Sequence, residues 1–289
     1  MIAVVGSINL DIVARVDRHP IGGETLMAHH HETAHGGKGA NQAVAAARLG
    51  APVSFIGRVG RDAAGDELAA GLEAEGVDTS LLSRTDAPTG TALIVLDAKG
   101  ENTIVVAAGA NGDVSIGEAE QQLLAEADIV MCQLEVPMPA VLDAMTAARG
   151  PVVLNAAPAA TLPSEAWGSI DYLVVNEHEL ALTLGEATMQ SVERRKLKAV
   201  VTTLGADGAR VVTPRDIGHI PAPGIQVVDT TGAGDAFCGA FASGLHRGLD
   251  VFAAAAEGVH AGSMATMRVG ARAASPTRQQ LDRFMERNR

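Results

Sequence analysis

Short apolar runs rich in β-branched residues recur along the chain, and most are followed by apolar residues at helical spacing. Runs that are apolar on both faces are typical of parallel strands covered by helices on both sides. The pattern therefore predicts an α/β fold with a doubly wound, mostly parallel sheet flanked by helices. The predicted strands are 2–6, 53–57, 128–132, 151–155, 171–176 and 199–205, and the predicted helices are 39–49, 62–75, 116–126, 137–149 and 232–247.

Two regions interrupt this alternation. Strand-like stretches at about 11–34 and 91–109 do not suit a sheet buried under helices, so we expect them to form a small β-sheet lid over one edge. The second stretch is predicted to be a hairpin that turns at Lys99 and Gly100. Because the chain contains no long linker, repeat or low-complexity tract, residues 1–289 are expected to form a single domain.

Charge and cysteine content limit the partners and the compartment. The net charge is −12 and Lys and Arg form no basic run, which argues against nucleic acid or a membrane surface as a partner. Cys132 and Cys238 lie in apolar contexts that favour buried thiols over a disulfide. The N-terminal apolar run is too short for a signal peptide. We therefore expect a cytoplasmic protein.

The segment VVDTTGAGDAF, residues 227–237, places an acid, Asp235, at the start of a predicted helix. A helix cap would explain Asp235 alone. It would not explain Gly232 and Gly234, which let the backbone turn sharply and present N–H groups to an anion. A carboxylate is useful beside such an anion cradle if it takes up a proton, so the segment suggests phosphoryl transfer.

A second glycine-rich segment, HGGKGANQA at residues 35–43, also precedes a predicted helix. It is not a P-loop, because Gly39 follows Lys38 where that motif has Ser or Thr. Backbone groups of the turn and the amides of Asn41 and Gln42 could converge on a hydroxylated ligand. A turn and helix start without any ligand is an equally good interpretation of this segment alone.

Polar side chains follow several predicted strands, where ligands of open α/β sheets bind. Each is explained singly by a cap or a solvated loop. Together they suggest hydrogen-bond acceptors for a polyol, and the acids could hold Mg²⁺ near a nucleotide. These residues are Asn9, Asp11, Gln133, Glu135, Asn176 and Glu179.

The histidine tract at residues 29–31 raises the question of a metal site. His29 and His31 would share one face of a strand, but no Cys or acid at a familiar spacing completes a zinc ligand set. A solvated lid strand is the preferred interpretation.

A series of short motifs occurs in the order found in the ribokinase-like, PfkB-type carbohydrate kinases, which the chain resembles nearly end to end. The pair GGKGAN and DTTGAGD is specific, whereas either motif alone would only be suggestive. The motifs are GSINLD (6–11), GGET (22–25), GGKGANQA (36–43), GEN (100–102), GAN (109–111), QLE (133–135), NEHE (176–179), TLGADG (203–208) and DTTGAGD (229–235).

This resemblance implies an ATP-dependent kinase with one large α/β domain and a β-lid that mediates homodimer contacts. Asp235 would be the base that takes the proton from the terminal hydroxyl of the sugar, and the N–H groups of Gly232, Ala233, Gly234 and Asp235 would hold the transferring phosphoryl. The implied sugar-binding residues are Asn9, Asp11, Gly37, Lys38, Gly39, Asn41 and Glu135. The residues implied to serve ATP and its Mg²⁺ are Asn176, Glu179, Thr203, Gly205, Gly208 and Gly234.

The resemblance also implies a monovalent cation, usually potassium, beside the anion cradle. Asp229 and Thr231 match its first ligand segment, and Ala265, Arg268 and Gly270 match the second. The following segment departs from the family pattern, because Ala274 stands where a Ser ligand is usual and Ser275 comes one place later. Potassium activation is therefore a hypothesis.

Ribose is the first choice of acceptor on this resemblance. The alternatives are kinases of deoxyribose, fructose or a nucleoside such as adenosine, and a non-catalytic sugar-binding relative. The intact cradle with Asp235 argues against a non-catalytic protein. With one Trp, one Tyr and five Phe in the chain, stacking for a nucleoside base is hard to supply. Residues 180–198 are fewer than is usual in the family, so we expect a trimmed helix near the nucleotide.

Overall fold

The computed structural model describes residues 1–98 and 101–288. The strands are β1 (Ile2–Val5), β2 (Asn9–Arg15), β3 (His30–Gly36), β4 (Val53–Gly60), β5 (Val77–Asp78), β6 (Leu82–Thr85), β7 (Gly90–Leu96), β8 (Asn102–Ala107), β9 (Ile129–Cys132), β10 (Val152–Asn155), β11 (Tyr172–Asn176), β12 (Ala199–Thr203), β13 (Ala209–Val212) and β14 (Ile217–Ile220). The α-helices are α1 (Lys38–Arg48), α2 (Ala63–Ala74), α3 (Glu118–Glu126), α4 (Met138–Ala147), α5 (Glu177–Thr183), α6 (Met189–Arg194), α7 (Ala233–His246), α8 (Val251–Ala265), α9 (Ala271–Ala274) and α10 (Arg278–Arg287).

The main sheet has the strand order β14-β13-β12-β11-β10-β9-β1-β4-β5, and β6 also pairs with β4. The strands from β12 to β5 run parallel, whereas β13 and β14 add an antiparallel edge. The predicted α/β fold with a mostly parallel sheet is confirmed, and every predicted strand has a counterpart. The antiparallel edge was not predicted, because short strands at an edge carry only a weak pattern.

Helices cover both faces of this sheet. Within β1, Ile2 and Val4 pack into the layer under α1, α2, α7 and α8, while Ala3 and Val5 pack into the layer under α3 and α4. Alternate side chains of one strand therefore enter two separate cores, which is why the strands read as continuous apolar runs.

Every predicted helix is present, but α8 was missed. Its residues are almost all Ala, Gly or other small and apolar types, and it is buried on several sides against α7, β13, β14 and α10. A helix that is apolar nearly all round has no one-sided periodicity to detect. Residues 180–198, where we expected a trimmed helix, contain the end of α5 and the whole of α6.

A second sheet with the order β3-β2-β7-β8 forms the predicted lid. It continues from the main sheet, because β1 leads through residues 6–8 directly into β2. β7 and β8 pair antiparallel, as expected for a hairpin, but the predicted turn residues Lys99 and Gly100 lie outside the described residues.

The histidine tract lies at the start of β3 and is exposed, as a solvated lid strand should be. His29 Nε2 lies 2.9 Å from Asp17 Oδ1. The grouping of metal-ligand types found in residues 1–98 and 101–288 is His19 with Asp97 and Glu101, which does not include the tract.

The carboxyl ends of β1, β9, β10 and β11 meet at one edge of the main sheet, beside the starts of α1 and α7. Cys132 and Cys238 are buried free thiols. Within the described part of the chain, no helix combines the length and apolar character needed to cross a membrane.

Candidate active site

The anion cradle predicted at residues 232–235 forms the first turn of α7. Gly232 is the residue before the helix and has φ 75°, a left-handed conformation that favours glycine. A Cβ on Gly232 would also lie 2.6 Å from Cα of Ala271. The turn and the close approach both require glycine. Ala233 N–H, which was expected to join the cradle, donates to the carbonyl of Thr230 at 3.2 Å, whereas the N–H groups of Gly234 and Asp235 have no acceptor among the described residues.

Asp235 lies at the third position of α7, and its carboxylate makes no capping bond. Instead, Oδ2 accepts a hydrogen bond from Asn41 Nδ2 at 3.0 Å and Oδ1 accepts one from Gln42 Nε2 at 3.0 Å. Only 9% of Asp235 is exposed. The simple cap considered from the sequence therefore does not account for this acid.

A chain of amides extends from Asp235 to the strand ends. Gln42 Nε2 also donates to Asn155 Oδ1 at 2.9 Å, and Gln133 Nε2 donates to Gln42 Oε1 at 2.7 Å. Asn155 Nδ2 donates to the carbonyl of Val174. Gln42 was considered from the sequence as a possible ligand contact, whereas Asn155 was not among the predicted site residues. The sequence signal for Asn155 was an amide at the end of a predicted strand.

Burial raises the pKa of Asp235, and the charge of Lys38 together with the amides of Asn41 and Gln42 opposes this rise. Burial lowers the pKa of Lys38, but the nearby Asp235, Glu135 and Glu179 raise it by more, so that its net shift is upward. Lys38 is therefore a cation held among three acids beside the cradle.

The predicted sugar loop, residues 36–39, packs its backbone directly on residues 6–9. Gly37 has φ 88°, and a Cβ on it would lie 2.6 Å from Cα of Ile8. The carboxylate of Glu135 organises the loop, because it accepts hydrogen bonds from Ser7 Oγ and from the backbone N–H of Lys38, the latter at 3.1 Å. Close packing explains the glycines of this loop, while the amide of Asn41 faces Asp235.

Asn9 and Asp11 lie on β2, where the lid leaves the main sheet. Asn111 Nδ2 donates to Asn9 Oδ1 at 2.7 Å and so fixes that side chain. The Asp11 carboxylate lies against Gly36, since a Cβ there would be 2.1 Å from both of its oxygens. Burial raises the pKa of Asp11 to about 7, and Glu135 and Asp235 add to the rise while Arg272 opposes it.

A cleft of about 470 Å³ adjoins the cradle between the 203–208 turn, residues 222–227 and α8. Thr203, Gly205, Gly208 and Gly234, which were expected to serve a nucleotide, are among its lining residues, and no charged side chain is among the described residues that line it. Phe237 and Val259 complete its apolar wall and were not predicted. The ring of His260 packs edge to face against Phe284, and His260 is not among the described residues that line the cleft.

Asn176 and Glu179 are not among the residues that line this cleft. They form a capping box at the start of α5, with both hydrogen bonds at 2.8 Å. Glu179 is buried, and its negative charge raises the pKa of Lys38. The structure thus places Glu179 near the cradle and gives Asn176 a role in starting the helix.

The two segments predicted to hold a monovalent cation lie side by side. Asp229 accepts hydrogen bonds from the N–H groups of Thr231 and Gly270, both at 2.9 Å. Burial raises the pKa of Asp229, but these bonds lower it by more. Val228 N–H donates to the carbonyl of Thr266, in the stretch between the predicted ligands Ala265 and Arg268. The carboxylate and nearby carbonyls are hard oxygen donors that suit such an ion, while Ala274 offers no side-chain oxygen.

Arg272 is a buried residue that sequence reasoning did not place in the site. Its Nε donates to Asn41 Oδ1 at 3.0 Å, and its Nη2 donates to the carbonyl of Gly36 at 2.7 Å. No sequence signal pointed to it, because an Arg is usually exposed and its neighbours at 270–271 and 273–274 carry no polar side chain.

The chain matches the profile of the pfkB family of carbohydrate kinases over residues 1–278. It is 38% identical over 290 residues to the ribokinase of Bacillus subtilis (strain 168), a match that covers 98% of this chain and 99% of that protein. The structure is similar to that of ribokinase from Thermotoga maritima, with a TM-score of 0.92, 34% identity and 99% of both chains covered. It is also similar to Arabidopsis thaliana ribokinase complexed with ribose and ATP, with a TM-score of 0.90, 32% identity, and 99% of this chain and 98% of that chain covered.

Proposed function

Because the chain belongs to the pfkB family of carbohydrate kinases, we propose that it transfers a phosphoryl group from ATP to the terminal hydroxymethyl of D-ribose, forming ribose 5-phosphate. The likeness to ribokinases over nearly the whole chain supports this acceptor. One structural observation carries the proposal. A buried carboxylate, Asp235, accepts a hydrogen bond from Asn41, just after the sugar loop, and directly follows Gly234, which lines the proposed nucleotide cleft.

In this mechanism, Asp235 accepts the proton of the attacking hydroxyl. The transition state of phosphoryl transfer is loose, so the hydroxyl needs little deprotonation until late, and its position matters more than the strength of the base. The N–H groups of the first turn of α7 and the ammonium of Lys38 stabilise the negative charge on the transferring group. Asn9, Asp11, Asn41 and the loop at residues 37–39 bind the sugar.

We propose that ATP binds in the 470 Å³ cleft with its base against Phe237 and Val259 and its phosphates at Gly234. Mg²⁺ would be served by Glu179, with Asn176 positioning the start of α5. Of the two carboxylate oxygens of Glu179, Oε2 accepts a hydrogen bond from Asn176 N–H, and Oε1 has no hydrogen-bond partner among the described residues. Oε1 is therefore available to the ion or to a water bound to it. When bound, Mg²⁺ neutralises charge on the phosphates.

The paired segments at Asp229 and Gly270 support binding of a monovalent cation, with K⁺ as the favoured ion. The carbonyls of Thr231, Ala265, Arg268 and Gly270 would join Asp229 as ligands. Because Ala274 removes one expected ligand, we expect K⁺ to activate the enzyme less strongly than it would with a hydroxyl at that position.

The test of the proposed function is ATP turnover with ribose, 2-deoxyribose, fructose and adenosine as acceptors, each in K⁺ and in Na⁺ buffer. We expect ribose to have the highest kcat/KM, K⁺ to exceed Na⁺, and EDTA to abolish turnover. A higher kcat/KM for adenosine would contradict the proposed acceptor, and equal rates in both buffers would contradict the cation site.

We propose that the chain forms a homodimer through the outer surface of the lid. Leu93 and Val105 lie opposite each other on β7 and β8 and are 49% and 60% exposed. Ile104 and Val106 are also exposed on the edge strand. Contiguous exposed apolar side chains on a sheet edge are a surface that a second copy can cover.

Sedimentation velocity tests this dimer with the double variant Leu93→Glu/Val105→Glu. We expect the variant to be monomeric and the wild type dimeric, because two carboxylates per protomer cannot be buried without partners. The control Ile217→Glu adds a charge at an exposed apolar position on β14, away from the lid, and should remain dimeric. A dimeric lid variant would contradict this interface.

We further propose that the protein works in the cytoplasm, where ATP is available and where buried free thiols such as Cys132 and Cys238 are common. Fractionation of the source cells would test this location.

A further inference from the structure

Arg272 is a guanidinium buried beside the candidate base. It lies on α9 with 7% of its surface exposed, and two of its N–H groups are bonded to Asn41 and to the carbonyl of Gly36. Its third nitrogen, Nη1, is buried without a hydrogen-bond partner among the described residues. Burying a cation with an unsatisfied donor is costly, so packing alone is a poor explanation for an Arg here.

The contact with Asn41 fixes the direction of the hydrogen bonds that reach Asp235. A guanidinium can only donate, so Asn41 must turn Oδ1 towards Arg272 and Nδ2 towards Asp235. At the other end of the network, the carbonyl of Val174 can only accept, which orients Asn155 and, through it, Gln42. Both oxygens of Asp235 therefore face N–H donors, which favours the ionised carboxylate.

The charge of Arg272 also acts on the nearby acids: it lowers the pKa of Asp11, and the charge of Asp235 in turn raises the pKa of Arg272. The groups that face this region are the acids Asp11 from β2, Glu135 after β9, Glu179 from α5 and Asp235 from α7, and the cations Lys38 from α1 and Arg272 from α9. The charges of Glu75 and Arg48 also act on Arg272. Burial lowers the pKa of Arg272 to about 10, which leaves it charged at neutral pH. Without Arg272, Lys38 would be the one cation among the described residues left beside the four acids that face this region.

We propose that Arg272 is a positioning residue for phosphoryl transfer, which orients Asn41 so that Asp235 stays an ionised proton acceptor and ties this arrangement to the lid strand at Gly36. The inference rests on the proposed function. Arg272 also lies two residues after Gly270, whose N–H binds Asp229, so one short segment joins the proposed cation site to the base.

A purely structural role for this segment can be separated from positioning, because a second Arg holds the same backbone. Arg48 Nη1 donates to the carbonyls of Arg272 and Ser275 and touches neither Asn41 nor Asp235. Arg48→Met is therefore the matched control. It removes support from α9 and leaves the charge and the donors around Asp235 in place.

The experiment compares Arg272→Met, Arg272→Lys and Arg48→Met by kcat, ribose KM and the pH profile of kcat/KM. We expect Arg272→Met to lower kcat by roughly 10- to 100-fold and to move the acid limb upward by about one pH unit. Arg272→Lys keeps the positive charge but loses the planar group that donates to both Asn41 and Gly36. We therefore expect the acid limb of its pH profile to stay in place while kcat falls. Arg48→Met should lower Tm without moving the limb.

An unmoved acid limb in Arg272→Met, or the same shift in Arg48→Met, would overturn the proposal. If Arg272→Met does not fold, an acid limb displaced in Arg272→Lys as far as one pH unit overturns it instead. Carboxylate ¹³C NMR titration of Asp11 and Asp235 supplies a readout without turnover. Were the wild type inactive on every sugar, the proposed function would fail, while unshifted titrations in Arg272→Met would still refute the positioning role.

Discussion

Replacing Asp235 by Asn is expected to lower kcat by a factor of ~10² to 10⁴, which is the usual contribution of a positioned general base. The substitution keeps the shape of the side chain but removes its ability to take a proton from the sugar hydroxyl. Ribose binding should be largely preserved, since the sugar-binding loop does not depend on the charge of this side chain for its backbone contacts. Initial-rate kinetics and calorimetric titration with ribose measure the two effects.

The variant also tests the hydrogen-bond network. Asn41 and Gln42 both present N–H groups to residue 235, so the amide of an Asn there would place one donor against another. We expect a loss of about 1 to 3 kcal/mol in the free energy of unfolding. Asp250→Asn is the matched control, because Asp250 also stands at a helix start and only caps α8. Full activity in Asp235→Asn would exclude it as the base.

Gly232→Ala is expected to lower kcat by a factor of about 10², which is the usual effect of displacing the groups around a reacting centre by about 1 Å. The new Cβ would meet Ala271 at 2.6 Å, and the left-handed backbone would be strained. The loop must then shift, and with it the N–H groups that we propose hold the phosphoryl. The KM for ribose should change little, because Gly37 and Asn41 lie on a different segment.

Gly248→Ala is the control for strain alone. Gly248 has φ 85° just after the other end of α7, where a Cβ would meet open space. Both variants should lose stability through the backbone conformation, but only Gly232→Ala should lose turnover. Thermal unfolding and steady-state kinetics on the same preparations make the comparison. Equal kcat values for the two variants would contradict the role of the cradle.

The sequence indicated which chemical groups the site contains more fully than it indicated which residues those groups contact. Glycines beside an acid are a local signal, since close turns and anion cradles are formed by consecutive residues. The partners of the acid are not local. Asn41 lies 194 positions away from Asp235, and Arg272 lies 231 positions away from Asn41. No periodicity links such residues, so the contact between Gln42 and Asp235 was not predicted, and Asn155 and Arg272 were left out of the predicted site.

The proposed nucleotide cleft illustrates the same division. Thr203, Gly205 and Gly208 were predicted from a motif, whereas Phe237 and Val259 look like ordinary core residues of two helices. Only the packing of α8 against α7 brings Val259 to the cleft. The capping box of Asn176 and Glu179 also became visible only when α5 was seen to begin at that point.

From the sequence alone came the alternation of strands and helices, the lid, the two glycine-rich turns and the acid, because these depend on neighbouring residues and on the periods of strand and helix. Tertiary structure alone decided which amides face Asp235, that the pKa of Asp11 rises to about 7, and that a buried Arg272 lies beside the base. Burial and charge at a site depend on which distant segments pack together, and that packing is a property of the whole chain.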